Sequence, residues 1–249
     1  MPSPYETFAA LHVPGDPLII YNCWDPGSAV AIAKAGAKAI ATGSYGAAES
    51  LGFGDGEKVP LDLVFDNARR IMQVVDVPVS IDFESGYAVD AAGLTANLAG
   101  LAATGAVGCN FEDSVIGGEG VYPIEEQAAR VVAARKGAGD AFFINARVDL
   151  YLRTPKERHD ASLLDETIDR AQAYLAAGAS GIFVPGLRDA AAVGEIVKRT
   201  GALINIIPGD QPVQGFANAG VARVSYGGGP WFAAMAWLEE QARPAINWR

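Results

Sequence analysis

The chain has 249 residues, half of them hydrophobic, with a formal net charge of −10 and two cysteines. That size and apolar content suit one α/β barrel or two ordinary domains around a substantial core. The acidic balance, without clustered Lys and Arg, argues against a nucleic-acid partner. No run approaches the roughly 20 apolar residues of a membrane span, and Met1 to Pro17 lacks the basic start and apolar stretch of a signal peptide. A cytoplasmic protein with no membrane partner is expected.

Short β-branched runs alternate with alanine-rich helical patterns along the whole chain. The first predicted strand is Leu18–Trp24, followed by a helix over Gly27–Lys34. Ala39–Ser44 is the second strand, and a long glycine-rich loop, Tyr45–Pro60, leads to a helix at Leu61–Val75. The third strand, Val79–Glu84, ends in Asp82 and Glu84 and precedes a helix at Asp90–Ala103. Val107–Asp113 ends in Glu112 and Asp113, then a second long loop, Ser114–Tyr122, reaches the helix Pro123–Lys136. The fifth strand, Phe142–Val148, carries Arg147 to its end, with Asp149 just beyond, before a helix at Leu163–Ala176. Strands at Gly181–Val184, Leu203–Ile207 and Ala222–Tyr226 follow, each with a helix after it, at Ala190–Thr200, Pro212–Ala219 and Pro230–Gln241. This alternation predicts a (βα)8 TIM barrel, with residues 1–249 forming one domain. A doubly wound open sheet would place a phosphate-binding glycine pattern after the first strand, where this chain has Trp24-Asp25-Pro26-Gly27-Ser28.

In such a barrel the strand ends share one mouth, so Asp82, Glu84, Glu112, Asp113, Arg147 and Asp149 converge there. Alternation along the third strand turns Asp82 and Glu84 the same way. Carboxylates without His or Cys suit magnesium or manganese, which keep several waters and take one or two direct carboxylates. Arg147 beside such an ion could hold a 2-oxo carboxylate and stabilise an enolate. The competing reading is a salt-bridge network at the barrel mouth. Cys23 and Cys109 lie in apolar runs as buried thiols with no zinc spacing. His12 and His159, outside the strand-end motifs, are expected at the surface.

Asp82-Phe83-Glu84-Ser85-Gly86-Tyr87, Asn110-Phe111-Glu112-Asp113 and Asn145-Ala146-Arg147-Val148-Asp149 resemble three core motifs of the isocitrate lyase and phosphoenolpyruvate mutase superfamily. Thr42-Gly43-Ser44-Tyr45-Gly46 and Leu51-Gly52-Phe53-Gly54-Asp55 resemble its second-strand turn and gating loop. The resemblance implies a magnesium-dependent enzyme acting on a small 2-oxo acid or its enolate, with a C–C or P–C bond made or broken. It also implies roles. Asp82 would be the direct magnesium ligand, with Glu84 and Glu112 acting through metal-bound water. Arg147 would grip the substrate, Ser44 and Tyr45 would present backbone N–H groups to its carboxylate, and Asp55 would be the gating-loop acid.

The chain departs from the lyase pattern at Ile116-Gly117-Gly118-Glu119-Gly120-Val121-Tyr122, where lyases carry a cysteine loop. It departs from the mutase pattern after Asp55, where no asparagine follows, and at Pro185-Gly186, where a polar side chain is common. C–C lyase or decarboxylase chemistry on a 2-oxo mono- or dicarboxylate is therefore the leading expectation. The alternatives are a P–C phosphonomutase or phosphonopyruvate hydrolase, and a non-catalytic 2-oxo acid binder. By the same resemblance a homo-oligomer, dimer or tetramer, is expected, with Trp231, Met235 and Trp237 of the last helix packed in the subunit or against another.

Overall fold

The computed structural model describes residues 2–248. Helix α1 (Pro4–Ala10) leads into β1 (Leu18–Ile20), α2 (Pro26–Lys34), β2 (Ile40–Ala41), α3 (Ser44–Ser50) and α4 (Leu61–Met72). The central units are β3 (Val79–Asp82), α5 (Ala91–Ala102), β4 (Gly108–Glu112), α6 (Ile124–Ala138), β5 (Phe143–Arg147), α7 (Leu150–Arg153) and α8 (Ala161–Ala176). The last are β6 (Gly181–Phe183), α9 (Ala190–Thr200), β7 (Ile204–Ile206), α10 (Val213–Asn218), β8 (Arg223–Ser225) and α11 (Gly229–Ile246).

All eight strands are parallel, in the order β1-β8-β7-β6-β5-β4-β3-β2. Cys23, just past β1, closes the ring: its N–H donates to the Ala41 carbonyl and its carbonyl accepts from Gly43 N–H, both at 2.9 Å. The expected (βα)8 barrel is the observed fold. The strands start and end where predicted to within a few residues, but the long loop after the second strand is not all loop. Residues 44–50 form α3, so Ser44 and Tyr45 begin a helix and the loop proper is 51–60.

Side-chain alternation explains the core. Ile40, Ile81, Cys109, Phe111, Ile144, Ala146, Ile182, Ile204 and Val224 are buried in one large apolar cluster with helix residues such as Leu94, Leu98, Val131, Ile168 and Val193. Both cysteines are free and buried there, and burial pushes the Cys23 thiol up to about 12. The bottom of the barrel holds a second apolar cluster. Its plug is α1, which was not evident in the sequence: Ser3 and Glu6 form a capping box at its start, and its Phe8 is fully buried with Leu18, Ile20, Val107 and Phe143.

His12, expected at the surface, lies in this plug instead. It stacks on Phe143 at 4.3 Å, with Nδ1 2.9 Å from the Phe8 carbonyl. Burial, and then the Arg223 charge, push its pKa down from 6.5 to about 3. A folded-state pKa below the unfolded value means that the unfolded chain takes up the proton first. Stability is therefore expected to fall as pH drops below 6.5, by up to about 1.4 kcal/mol per pH unit from this group. His12→Phe should lack that component. Urea unfolding of both proteins between about pH 7 and pH 5 checks it, and parallel pH profiles would refute the assignment.

Candidate functional site

Strand register builds the mouth. Asp82 pairs with Asn110 and Asn110 with Asn145, while one pleat further on Glu112 pairs with Arg147 and Arg147 with Phe183. Above this floor lies a cavity of about 170 Å³. Asn22, Ser44, Tyr45, Asp55, Asp82, Asn110, Arg147 and Ser225 line one part, and Leu152, Phe183, Pro185 and Ile207 another. Of the expected site residues, Ser44, Tyr45, Asp55, Asp82 and Arg147 thus share one cavity.

Asp82 is positioned by three strands. Its own N–H donates to Thr42 Oγ1 at 2.8 Å, and its carboxylate accepts from Ser44 N–H at 3.1 Å and from Asn110 Nδ2 at 3.3 Å. Asn145 Nδ2 in turn donates to Asn110 Oδ1 at 2.9 Å. The Ser44 N–H expected to face a substrate carboxylate is therefore committed to Asp82 in this state. Asn22 ties the seam of the barrel, donating to the Thr42 carbonyl and accepting from the N–H groups of Tyr226 and Gly227.

Glu84 and Glu112 stand behind the cavity lining. Glu84 is buried and accepts from Glu57 N–H at 2.7 Å and from the Tyr87 hydroxyl at 2.9 Å, while Tyr87 N–H donates to Glu57 Oε1 at 2.8 Å. Among the described residues these same three carry the positive φ angles outside glycine, +56° at Glu57, +48° at Glu84 and +58° at Tyr87. Each such conformation costs on the order of 1–3 kcal/mol, so their mutual hydrogen bonds fasten loop 51–60 to the end of β3 against backbone strain. Glu57 had no signal in the sequence, where the neighbouring Asp55 stood out. Burial raises the Glu84 carboxyl to about 7, with Asp82 and Asp55 adding to the rise and the Glu57 N–H opposing it.

Glu112 is 2.7 Å from Arg147 Nη1, and Asp149 takes the rest of the guanidinium, at 2.6 Å from Nε and 3.0 Å from Nη2. Asp149 is held in turn by the Ser114 hydroxyl, and its N–H donates to Asp113 Oδ1 at 2.9 Å. Asp113 pairs with Arg170 at 3.2 Å and accepts from the Tyr174 hydroxyl at 2.8 Å. Asp149 therefore braces Arg147 directly and Asp113 does so through Asp149. The salt-bridge network anticipated as the competing reading exists, and it serves to aim the guanidinium.

Charge at the mouth is unbalanced. Asp55, Asp82, Glu84, Glu112 and Asp149 crowd around Arg147, with the buried Arg223 near enough to feel Asp82 and Arg153 reaching the Ser114 hydroxyl beside Asp149. Burial drives Glu112 well above the usual carboxylate range, although Arg147 opposes this. Desolvation followed by the Asp82 charge raises Asp55, with the Ser44 hydroxyl and Gly56 N–H pulling it back. Among the described residues no three His, Cys, Asp or Glu groups close around a common point. Asp82, at the end of β3, and Asp55, on loop 51–60, are the carboxylates that line the cavity, and Glu84 and Glu112 are near enough in the fold to interact electrostatically with Asp82. An all-oxygen donor set with excess negative charge and a strand-end carboxylate, Asp82, on the cavity fits a hard divalent cation that keeps its waters. No residue of 114–122 lines the cavity; that loop is folded on itself by an antiparallel bridge between Ser114 and Val121.

The family model described as phosphoenolpyruvate phosphomutase matches residues 8–246. A crystal structure of a candidate phosphonomutase from Burkholderia cenocepacia is 39% identical, with a TM-score of 0.93 over 97% of this chain and 98% of that one. The 2-methylisocitrate lyase of Escherichia coli is 30% identical over 76% of this chain and 64% of its own length. The oxaloacetate decarboxylase of a Marinomonas species is 27% identical over 92% of this chain and 80% of its own. With the fold, the strand-end motifs and a family match over nearly the whole chain in agreement, this protein belongs to the phosphoenolpyruvate phosphomutase family.

Proposed function

We propose that this protein is a magnesium-dependent enzyme that binds a small 2-oxo acid, or its enolate, and cleaves a carbon–carbon bond. The observation that carries the reading is Arg147, aimed by Glu112 and Asp149 into a cavity that it shares with two carboxylates, Asp82 at the end of β3 and Asp55 on loop 51–60. Relatives named as a lyase and a decarboxylase support C–C chemistry, and the phosphomutase family model and a phosphorylmutase relative keep P–C chemistry as the second reading. Magnesium, with manganese as its substitute, would be held directly by Asp82 and through water by Glu84 and Glu112, and would supply positive charge at the oxo and carboxylate oxygens.

The chain's own residues do the rest. Arg147 binds the carboxylate or the developing enolate oxygen with the N–H groups that its braces leave available. Asp55, which lines the cavity and is held by the Ser44 hydroxyl and the Gly56 N–H, delivers a proton to C3 of the enolate that bond cleavage leaves, with burial and the Asp82 charge favouring its protonated form. Loop 51–60, fastened through Glu57 and Glu84, keeps water from the cavity while Asp55 is in place. Turnover of a panel of 2-oxo acids and phosphonates, with and without magnesium, by the native protein and by Asp82→Asn tests the reading. Magnesium-dependent product formation that the variant loses is expected, and binding without product would establish a non-catalytic binder instead.

We also propose a homo-oligomer. The outer face of β1 leaves Ile19 and Tyr21 more than 40% exposed beside a groove of about 790 Å³ lined by the ends of α1 and α2. Along α11, Phe232, Trp237 and Leu238 are more than half exposed. A second copy covering these apolar surfaces would bury both. Light scattering should show a dimer or tetramer, and a monomer at all concentrations would contradict it.

A further inference from the structure

Beneath the mouth β8 carries a further charge. Val224 joins the apolar cluster against the helices, so by alternation Arg223 and Ser225 face the barrel axis. Ser225 lines the cavity, and Arg223, one pleat lower, is 1% exposed. Its Nε donates to Ser225 Oγ at 3.1 Å. The guanidinium therefore lies one hydroxyl beneath the cavity wall.

No carboxylate answers this cation in contact. Among the described residues its Nη1 and Nη2 have no partner, and neither does either end of the Asn205 amide, which the β7–β8 register sets beside it. The other deeply buried arginines differ. Arg170 is paired with Asp113 and Glu166, and Arg130 donates to the carbonyls of Ser85, Ala88 and Val89. On the plug side of Arg223, His12 is neutral and Phe8 and Phe143 are apolar. Burial lowers the Arg223 pKa to about 10 and the Asp82 charge opposes that fall, so the guanidinium keeps its charge at neutral pH. A buried charge without a contact partner is destabilising, and in so apolar a setting its field is weakly screened. The carboxylate that feels it is Asp82, on the cavity.

Resting on the metal and 2-oxo acid reading above, we propose that Arg223 is a positioning residue. It is a fixed positive charge under the floor that, through Ser225 and across to Asp82, loosens the site's hold on a divalent cation and strengthens its hold on an anionic ligand. The metal then stays exchangeable until the substrate arrives. A cation and an anion brought to the same floor respond to this charge with opposite sign, whereas damaged packing would weaken both.

Calorimetric titration at pH 8, first with magnesium alone and then with oxalate at saturating magnesium, reads the two responses. The native protein should bind both. In Arg223→Met, similar in length but uncharged, magnesium is expected to bind about tenfold more tightly and oxalate about tenfold more weakly. Asn205→Asp leaves the arginine in place but sets a carboxylate against it, and should shift both affinities in the same two directions. It decides the matter alone should Arg223→Met not fold. Arg223→Lys keeps the charge and should stay within about threefold of native for both ligands. Shifts of like sign, or none beyond about threefold, in either folded variant overturn the inference while the 2-oxo acid reading stands. A lysine variant shifted as far as the methionine one overturns it too, because shape rather than charge would then be at work. A native protein that does not bind both magnesium and oxalate would instead refute the underlying reading.

Discussion

Asp82→Asn is expected to abolish magnesium-dependent turnover, with a loss of about a thousandfold or more. A metal ion at the reacting oxygens supplies several kcal/mol of transition-state stabilisation, and each 1.36 kcal/mol is about tenfold in rate. Asparagine keeps the shape of aspartate but not its charge, and the other carboxylates are differently placed: Glu84 is engaged by Glu57 and Tyr87, Glu112 by Arg147, and Asp55, which also lines the cavity, is carried by loop 51–60 and held by the Ser44 hydroxyl and Gly56 N–H. The substitution also confronts an amide N–H2 with one of the two donors that Asp82 now satisfies, Ser44 N–H or Asn110 Nδ2. That mismatch costs about 1–3 kcal/mol of local stability, too little to unfold a domain of this size. Magnesium titration by calorimetry and turnover should therefore fall together while the fold, followed by circular dichroism, persists. Native-like magnesium affinity in the variant would remove Asp82 from the metal site.

Arg147→Met is expected to be the most destabilising single change at the mouth, by about 3–5 kcal/mol, because it leaves Glu112 and Asp149 buried without their cation. Methionine fills much of the aliphatic volume, so lost packing against Phe183 is a minor part. The pH dependence identifies the cause. Burial already raises Glu112, and Arg147 is what opposes it, so in the variant the folded-state pKa rises further above the unfolded value. The folded state then binds the proton more readily than the unfolded chain, and stability increases as pH falls through that raised pKa. The penalty should be larger near pH 8 than near pH 5 in chelator-treated protein. A loss below about 1 kcal/mol at both values, measured by urea unfolding, would mean that the network does not depend on its arginine.

Much of the barrel could be read along the chain because each strand advertises itself locally. Apolar alternation at Ile81, Cys109, Phe111 and Ile144 marks strands buried on both faces, and the abrupt change to Asp82-Phe83-Glu84 or Ala146-Arg147-Val148-Asp149 marks where they emerge. The candidate site was legible for the same reason, since charged residues closing apolar runs have few places to go but a mouth. Helix α1 escaped notice because one buried residue, Phe8, on a seven-residue helix gives no periodicity to detect. His12 was misplaced at the surface because its polar neighbours in sequence are not its neighbours in space, where Phe8 and Phe143 enclose it.

By itself the sequence determined eight strands with their helices, and which carboxylates and which arginine reach the strand ends, since these follow from local periodicity. Tertiary structure alone decided what each charged group does there. Whether Glu84 faces a metal or receives a loop depends on Glu57, 27 residues away along the chain. Whether Arg147 is free or braced depends on the β4–β5 register that sets it beside Glu112. The division of the cavity into polar and apolar parts exists only once β8 has closed against β1, because its residues come from all eight strand ends and share no sequence neighbourhood that could announce them.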